Sequence, residues 1–168
     1  MLKVGFGGGC HWCTEGVFQS LKGILKVEQG WISSLGDNSE FSEGVIVHFN
    51  TEVISLEDLI EIHLYTHSST SSHHMRNKYR SAVYSVSKKD RVNAERIIQS
   101  FQKDFREKIV TQSLHLNDFK ENEERYLNYL YSRPGSGFCA TYIHPKLRFL
   151  MNRFLDKVQT EKLNEIGL

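Results

Sequence analysis

The stretch LKVGFGGGCHWCTEGVFQSL, residues 2–21, places a strand, a glycine turn and a helix in direct succession. Leu2 to Phe6 favours a short strand, and Gly7 to Gly9 interrupt it because glycine allows the backbone to turn tightly. Beyond the turn, Val17 and Leu21 recur at the spacing of one helix face. We therefore expect a strand that leads through a tight turn into the start of a helix.

Outward from this stretch, strand and helix patterns continue along the chain without an internal repeat. Glu43 and Val47 share one face of an alternating strand, and Ser55 with Asp58 matches a helix-capping box. The order of elements predicts an α+β fold, a two-layer sandwich with helices flanking a mixed or antiparallel sheet, as a variant of the ferredoxin-like plait. Residues 1–168 are expected to form a single domain. The other predicted elements are strands at Ile24–Ile32, Tyr79–Val86 and Ile109–Leu114, helices from Ser87, at Glu121–Tyr131 and at Pro145–Val158, and a polar loop at 66–78.

Composition and charge narrow the function classes. The 168 residues are 39% hydrophobic and 24% charged, with a formal net charge of +1 at pH 7. So small a charge gives no electrostatic reason to expect a nucleic-acid or membrane-surface partner. No apolar run approaches the roughly 20 residues of a membrane span, and the first nine residues are too short and too rich in glycine for a signal peptide. We expect a cytoplasmic monomer, in which three cysteines do not form a disulfide scaffold.

The segment GGGCHWCTE, Gly7 to Glu15, carries the strongest chemical signal. The predicted helix would place Cys10 at its N-terminus, where free backbone N–H groups and the helix dipole favour a thiolate. A thiolate attacks sulfur or carbon electrophiles, and Trp12 offers an apolar wall for a small apolar group. We therefore interpret Cys10 as a nucleophile, although a buried structural cysteine is the common alternative.

Cys10 and Cys13 form a C-x-x-C pair that admits two other interpretations. One is a thioredoxin-like redox motif, but that motif has the order W-C-x-x-C and usually follows a strand in a βαβ pattern. The other is half of a zinc site, which needs two more ligands at similar spacing. Cys139 stands alone and His73-His74 lacks that spacing. These spacings therefore predict no metal site. We also expect no organic cofactor.

Several separated segments resemble the A-type peptide methionine sulfoxide reductases. The family signature is G-C-F-W, which Gly9 to Trp12 match as G-C-H-W. Further matches follow in the expected order and cover most of the chain: Ser42–Asn50 with the VISLEDL that follows, Lys78–Tyr84 and Gly137–Cys139. The resemblance implies reduction of methionine S-sulfoxide, free or in peptides, and hence a role in protein repair and oxidative stress defence.

The resemblance assigns a role to each matching residue. Cys10 is the implied nucleophile, and Trp12 the wall that holds the substrate methyl group. Glu43 is the implied proton donor to the sulfoxide oxygen, which Tyr79 helps to hold. The strand pattern agrees on Glu43, because an acid at the end of an apolar strand face is partly desolvated and its pKa should rise. A raised pKa would keep Glu43 protonated near neutral pH, as a general acid requires.

The resemblance also implies a redox cycle. Cys10 becomes a sulfenic acid as methionine leaves, and a second cysteine attacks that sulfur to form a disulfide. Cys139 matches the family's recycling cysteine in a glycine-flanked, mobile segment, and Cys13 competes with it for the resolving role. The implied reductant is thioredoxin, acting by thiol–disulfide exchange.

Three departures from the family pattern affect the substrate pocket. His11 replaces the phenylalanine after the nucleophile and gives the pocket a polar, titratable wall. The loop before Glu43 is shorter, and the family's second active-site tyrosine has no clear counterpart, since the nearby Phe41 lacks a hydroxyl. The family's acidic residue ahead of Tyr79 is replaced around His73-His74. These changes leave the nucleophile and the acid in place and affect substrate range and rate.

Two functions from other classes remain open. A general dithiol–disulfide oxidoreductase using Cys10 and Cys13 would reduce insulin disulfides and leave sulfoxides unchanged. A non-catalytic module would bind a sulfoxide peptide without forming a sulfenic acid. His11 and the missing tyrosine favour the binding module, whereas the intact Cys10 and Glu43 oppose it.

Overall fold

Residues 2–168, which the computed structural model describes, form a six-stranded sheet with helices packed against it. The strands are β1 (Leu2–Gly7), β2 (Ile24–Ser33), β3 (Ser42–Phe49), β4 (Ala82–Ser85), β5 (Gln112–His115) and β6 (Asp118–Glu121). The helices are α1 (His11–Gln19), α2 (Leu56–Thr66), α3 (Lys88–Ser100), α4 (Tyr129–Ser132), α5 (His144–Arg153) and α6 (Thr160–Glu165). A π-helical turn at Cys139–Ile143 precedes α5. Across residues 2–168, no helix has both the length and the apolar character needed to cross a membrane.

The sheet has the strand order β5-β4-β1-β3-β2-β6. Neighbouring strands are antiparallel except for β4 and β5, which run parallel. The unit β1-α1-β2-β3-α2-β4 follows the β-α-β-β-α-β order of the ferredoxin-like plait, and β5 and β6 extend its two edges. The predicted α+β fold with a mixed sheet and flanking helices is therefore confirmed.

The core that positions α1 lies on one face of β1 and β3. Val45 and Val47 alternate with residues of the opposite face and are fully buried. Phe6 of β1 stacks on Phe18 of α1 with ring centroids 4.5 Å apart, and both rings are inaccessible to solvent. Burying a side chain of this size contributes about 1.5–3 kcal/mol. This packing fixes the start of α1 relative to the end of β1.

The predicted helix at Glu121–Tyr131 is wrong. After β6 the chain makes only a short 3₁₀ turn, and α4 begins at Tyr129. Asn128 has a left-handed conformation with φ 54°. The buried carboxylate of Glu15 accepts the backbone N–H groups of Asn128 and Tyr129, at 2.9 and 3.0 Å. A continuous helix would use those N–H groups internally, so this distant carboxylate replaces helical bonds with a tertiary contact.

The other predicted elements occur with shifted ends. Strand β4 begins only at Ala82, since the Arg80 N–H donates to Ser42 Oγ at 2.7 Å instead of to a neighbouring strand. Helix α2 begins at the predicted capping box, with both reciprocal bonds between Ser55 and Asp58 present. The predicted strand at Ile109–Leu114 and the predicted helix at Pro145–Val158 correspond to β5 and α5.

Candidate active site

The turn between β1 and α1 presents Cys10 at the N-cap of α1, as predicted. The Cys10 carbonyl accepts the backbone N–H groups of Cys13 and Thr14 at 3.1 and 3.2 Å, which starts the helix. A side chain cannot be added at Gly8, because a Cβ there would lie 2.4 Å from the His67 ring. The glycine turn therefore lets the backbone pass close under His67 while the thiol stays partly accessible.

Cys10 is a thiolate at neutral pH. The neighbouring Cys13 thiol has the largest effect on its pKa, and the His11 ring and the Trp12 backbone N–H act in the same direction. Burial and the Glu43 charge oppose them, and the net result lowers the pKa of Cys10 from 9.0 to about 5. The pKa of Cys13 is raised, since its proton is held by the Cys10 thiolate and burial adds to the effect.

His11 and Glu43 form a buried pair next to this thiolate. Nδ1 of His11 lies 2.9 Å from Oε1 of Glu43, and the His11 backbone N–H donates to the same oxygen at 3.3 Å. The ring contact lacks the alignment of a hydrogen bond, so it is an ion pair held by proximity. Glu43 also has Lys78 Nζ 3.5 Å from its other oxygen. Two cations therefore face one buried carboxylate.

The predicted rise in the pKa of Glu43 is wrong. Burial does act to raise it, but the positively charged His11 ring, the hydrogen bond from the His11 backbone N–H and the charge of Lys78 outweigh burial and lower the pKa of Glu43. The carboxyl is therefore ionised at neutral pH and cannot be the resting proton donor. Sequence pattern showed the apolar strand face of Glu43 but not the two cations that face it in the fold.

The proton of this pair resides on His11. Burial acts to lower the pKa of the imidazole, but contacts with the Cys10 thiolate and the Glu43 carboxylate raise it to about 9. On the other side of the ring, the Asn122 side-chain amide nitrogen Nδ2 lies 3.2 Å from His11 Nε2. An N–H donor at this position opposes protonation of Nε2. Two full charges near Nδ1 are the stronger influence than one amide dipole. We therefore assign an imidazolium to His11 at neutral pH.

The same three side chains could also hold a metal ion. One donor atom each from Cys10, His11 and Glu43 lies within 4.8 Å of the other two. They offer sulfur, nitrogen and oxygen, one ligand fewer than a closed structural zinc site uses. The ion pair between the His11 imidazolium and the Glu43 carboxylate accounts for the closeness of these side chains without a metal ion.

A cavity of about 620 Å³ reaches Cys10 from the side of α2 and α5. Cys13 and Tyr79 line it as well, so these three predicted site residues share one space. Its aromatic wall includes Phe138 and Tyr142. The predicted residues His11, Trp12, Glu43 and Cys139 are not part of its lining. The thiolate therefore lies where the cavity and the His11–Glu43 pair meet.

Trp12 packs in an aromatic cluster. Its ring stacks on Tyr129 with centroids 4.0 Å apart and meets the edge of Phe138 at 5.2 Å. Because Phe138 lines the cavity and Trp12 does not, the structure places Trp12 behind the cavity wall. Its part in holding the substrate methyl group stays a prediction.

Cys139 is fully buried at the start of the π-helical turn. Its thiol donates to the Arg133 carbonyl at 3.3 Å, and its backbone N–H donates to Ser136 Oγ at 3.1 Å. The segment is therefore helical and packed in this structure, and its mobility stays a prediction. The Cys13 thiol lines the same cavity as Cys10 and acts on its pKa, whereas the Cys139 thiol is directed to a backbone carbonyl.

Three residues of the site were given no role from the sequence, although Lys78 opens the matching segment Lys78–Tyr84. Lys78 faces Glu43, Asn122 faces His11, and Lys146 lines the cavity. Each is a common surface residue type, and each reaches the site only through the packing of distant segments.

A thiolate that shares a cavity with a second thiol can reduce a substrate and then close a disulfide, which is the chemistry of thiol-dependent reductases. A family model described as peptide methionine sulfoxide reductase matches residues 2–159. Peptide methionine sulfoxide reductase MsrA of Trichodesmium erythraeum is 34% identical over 90% of this chain and 95% of its own length. The counterpart of a Nitratiruptor species is 30% identical over 91% and 96%. The chain belongs to the peptide methionine sulfoxide reductase family.

Solved structures share the fold. Reduced Mxr1 from Saccharomyces cerevisiae has a TM-score of 0.73, with 23% identity over 84% of this chain and 90% of that chain. Mxr1 from the same organism in complex with Trx2 has a TM-score of 0.60, with 23% identity over 74% and 82%.

Proposed function

We propose that this protein reduces methionine S-sulfoxide, free or in peptides, to methionine, and so acts in protein repair and oxidative stress defence. The observation that carries the proposal is the Cys10 thiolate, which shares one cavity with the Cys13 thiol and is flanked by the His11–Glu43 ion pair. Family membership supports the substrate class.

The first step transfers the oxygen of the sulfoxide to Cys10. The thiolate attacks the sulfoxide sulfur while the oxygen takes a proton, after which methionine leaves as the sulfide and Cys10 carries the oxygen as a sulfenic acid. The sulfoxide is reduced by two electrons and Cys10 is oxidised by two. The proton comes from the His11 imidazolium, and the Glu43 carboxylate holds the imidazolium in position. Tyr79, which shares the cavity with Cys10, positions the oxygen.

The second step closes a disulfide between Cys10 and Cys13. The Cys13 sulfur attacks the sulfenic acid sulfur, and water leaves with the sulfenic oxygen. Once Cys10 is oxidised, the thiolate charge that raises the pKa of Cys13 is gone, while the nearby Lys146 charge still lowers it. Cys13 is therefore activated only when it is needed. Cys139, buried and directed away, is the second candidate.

The third step returns the enzyme to its dithiol form. We propose thioredoxin as the reductant, by exchange through a mixed disulfide. The fold shared with Mxr1 in its complex with Trx2 supports this choice. We also propose that the protein is a cytoplasmic monomer. Three free cysteines fit a reducing compartment, and the small net charge gives no electrostatic reason for nucleic-acid or membrane partners.

Turnover of a peptide carrying methionine S-sulfoxide, with dithiothreitol as reductant, tests the proposal. We expect reduction of the S epimer and none of the R epimer, and loss of all turnover in Cys10→Ser. Turnover that survives in Cys10→Ser would remove the nucleophile assignment. Reduction of neither epimer would overturn the proposed function.

A general dithiol–disulfide oxidoreductase is the second candidate, because Cys10 and Cys13 already interact. Insulin reduction by the same preparation separates the two. Reduction of insulin without reduction of sulfoxide would establish the second candidate.

A further inference from the structure

Lys146 is a cation on the wall of the cavity that has no carboxylate partner, although the nearby Cys13 and Cys10 thiols favour its charged form. It lies in the first turn of α5, and its Nζ donates to the carbonyl of Thr66 at the end of α2. The ion pairs among residues 2–168 do not include Lys146. No aspartate or glutamate is part of the cavity lining. An ammonium has three N–H donors, so two remain for a ligand in the cavity.

The pKa values of two neighbouring histidines reflect the positive charge at this end of the cavity. His63 and His67 line the cavity, and both have lowered pKa values, first because they are buried and further because Lys146 and Arg76 repel their protonated forms. Arg76 donates only to backbone carbonyls, those of Ser68, Ser71, Gly8 and Tyr79. The end of the cavity formed by α2 and α5 is therefore positive and takes an anion.

We propose that Lys146 binds the carboxylate of the substrate, so that the enzyme prefers methionine S-sulfoxide with a free carboxylate and an acylated amino group, as at the C-terminus of a peptide. The inference rests on the proposed function, because the sulfoxide must lie at Cys10. The sulfur and carboxyl carbon of methionine are four bonds apart and span about 5 Å. Cys10 and Lys146 line the same cavity, so one bound substrate can face both. The α-ammonium of the free amino acid would find no carboxylate in this lining.

The experiment compares two substrates that differ only at the carboxyl group. N-acetyl-methionine S-sulfoxide has a free carboxylate, and its N-methylamide has none. We expect the ratio of their kcat/KM values to be about tenfold or more in favour of the carboxylate, as one charge-assisted hydrogen bond supplies. Lys146→Met should bring that ratio close to one, and Lys146→Arg should retain most of it.

Lys162→Met is the matched control. Lys162 is also partly buried and also donates to a backbone carbonyl, that of Gln19 at 3.1 Å, but it is outside this cavity. Its substitution should leave the ratio unchanged. Because the readout is a ratio, a general loss of activity in Lys146→Met cancels.

The outcomes separate this inference from the proposed function. No preference in the wild-type enzyme, or a ratio that Lys146→Met does not change, would overturn the carboxylate site while leaving the reductase in place. An equal fall for both substrates would assign Lys146 to the electrostatics of Cys13 alone. Failure of both substrates in the wild-type enzyme would overturn the proposed function itself.

Discussion

Replacing Cys13 by alanine should raise the pKa of Cys10 without moving the thiolate. In the wild-type protein the Cys13 thiol is the largest single reason for the low pKa of Cys10. Alanine removes the S–H donor and leaves the imidazole of His11 and the backbone N–H of Trp12 in place.

The size of the shift follows from the strength of one charge-assisted hydrogen bond. Such a bond contributes about 1.5–3 kcal/mol, and one pKa unit corresponds to about 1.4 kcal/mol. We therefore expect the pKa of Cys10 to move from about 5 to about 6–7 in Cys13→Ala. Cys13→Ser, which keeps a hydroxyl donor, should stay closer to the wild-type value.

The assay is the rate of iodoacetamide alkylation of Cys10 from pH 4 to 9, with the modified peptide identified by mass spectrometry. Cys139→Ala is the control, because the Cys139 thiol donates to Arg133 and not to Cys10. A midpoint that does not move in Cys13→Ala, or one that moves equally in Cys139→Ala, would refute the assignment of Cys13 as the partner of the thiolate.

Three further perturbations test other parts of the account. Activity needs protonated His11, so kcat/KM should fall as pH rises through about 9. Glu43→Gln removes a charge that raises the pKa of His11 and should shift this alkaline limb to lower pH. An unmoved limb would show that Glu43 does not act on His11. In the folded protein, burial lowers the pKa of His63 from 6.5 to about 3, so the unfolded state binds the proton first as the pH falls. The free energy of unfolding should therefore decrease at pH values below 6.5, by up to about 1.4 kcal/mol per pH unit. A free energy of unfolding in urea that is constant from pH 6.5 to 5 would contradict this prediction. Gly30→Ala places a Cβ 2.1 Å from a carbonyl oxygen of β6 and should destabilise the fold by more than about 2 kcal/mol, while Gly135→Ala, with open space around it, should change stability little.

The unit β1-turn-α1 could be predicted from sequence because its causes are local. Apolar spacing sets the strand and the helix, and Gly8 allows the close approach of His67 that a side chain would block. The position of Cys10 at the helix start follows from the same few residues. The catalytic roles of Cys10 and its neighbours stay predictions until they are measured. The single-domain organisation of residues 1–168 also stays a prediction.

The protonation of the site could not be predicted, since its causes are distant in sequence. His11 and Glu43 are 32 residues apart and meet only when α1 packs beside β3. The apolar strand face suggested a raised pKa for Glu43, and the imidazolium reverses it. The missing helix before α4 has the same origin, because the Glu15 carboxylate that captures its N–H groups lies 114 residues from Tyr129.

One single-turnover measurement tests the central claim most directly. The reduced protein, freed of reductant, is mixed with excess peptide methionine S-sulfoxide, and both the methionine released and the state of each cysteine are determined by mass spectrometry. The account predicts one equivalent of methionine per chain and a disulfide between Cys10 and Cys13. No methionine, or methionine released while Cys10 remains a free thiol, would contradict it.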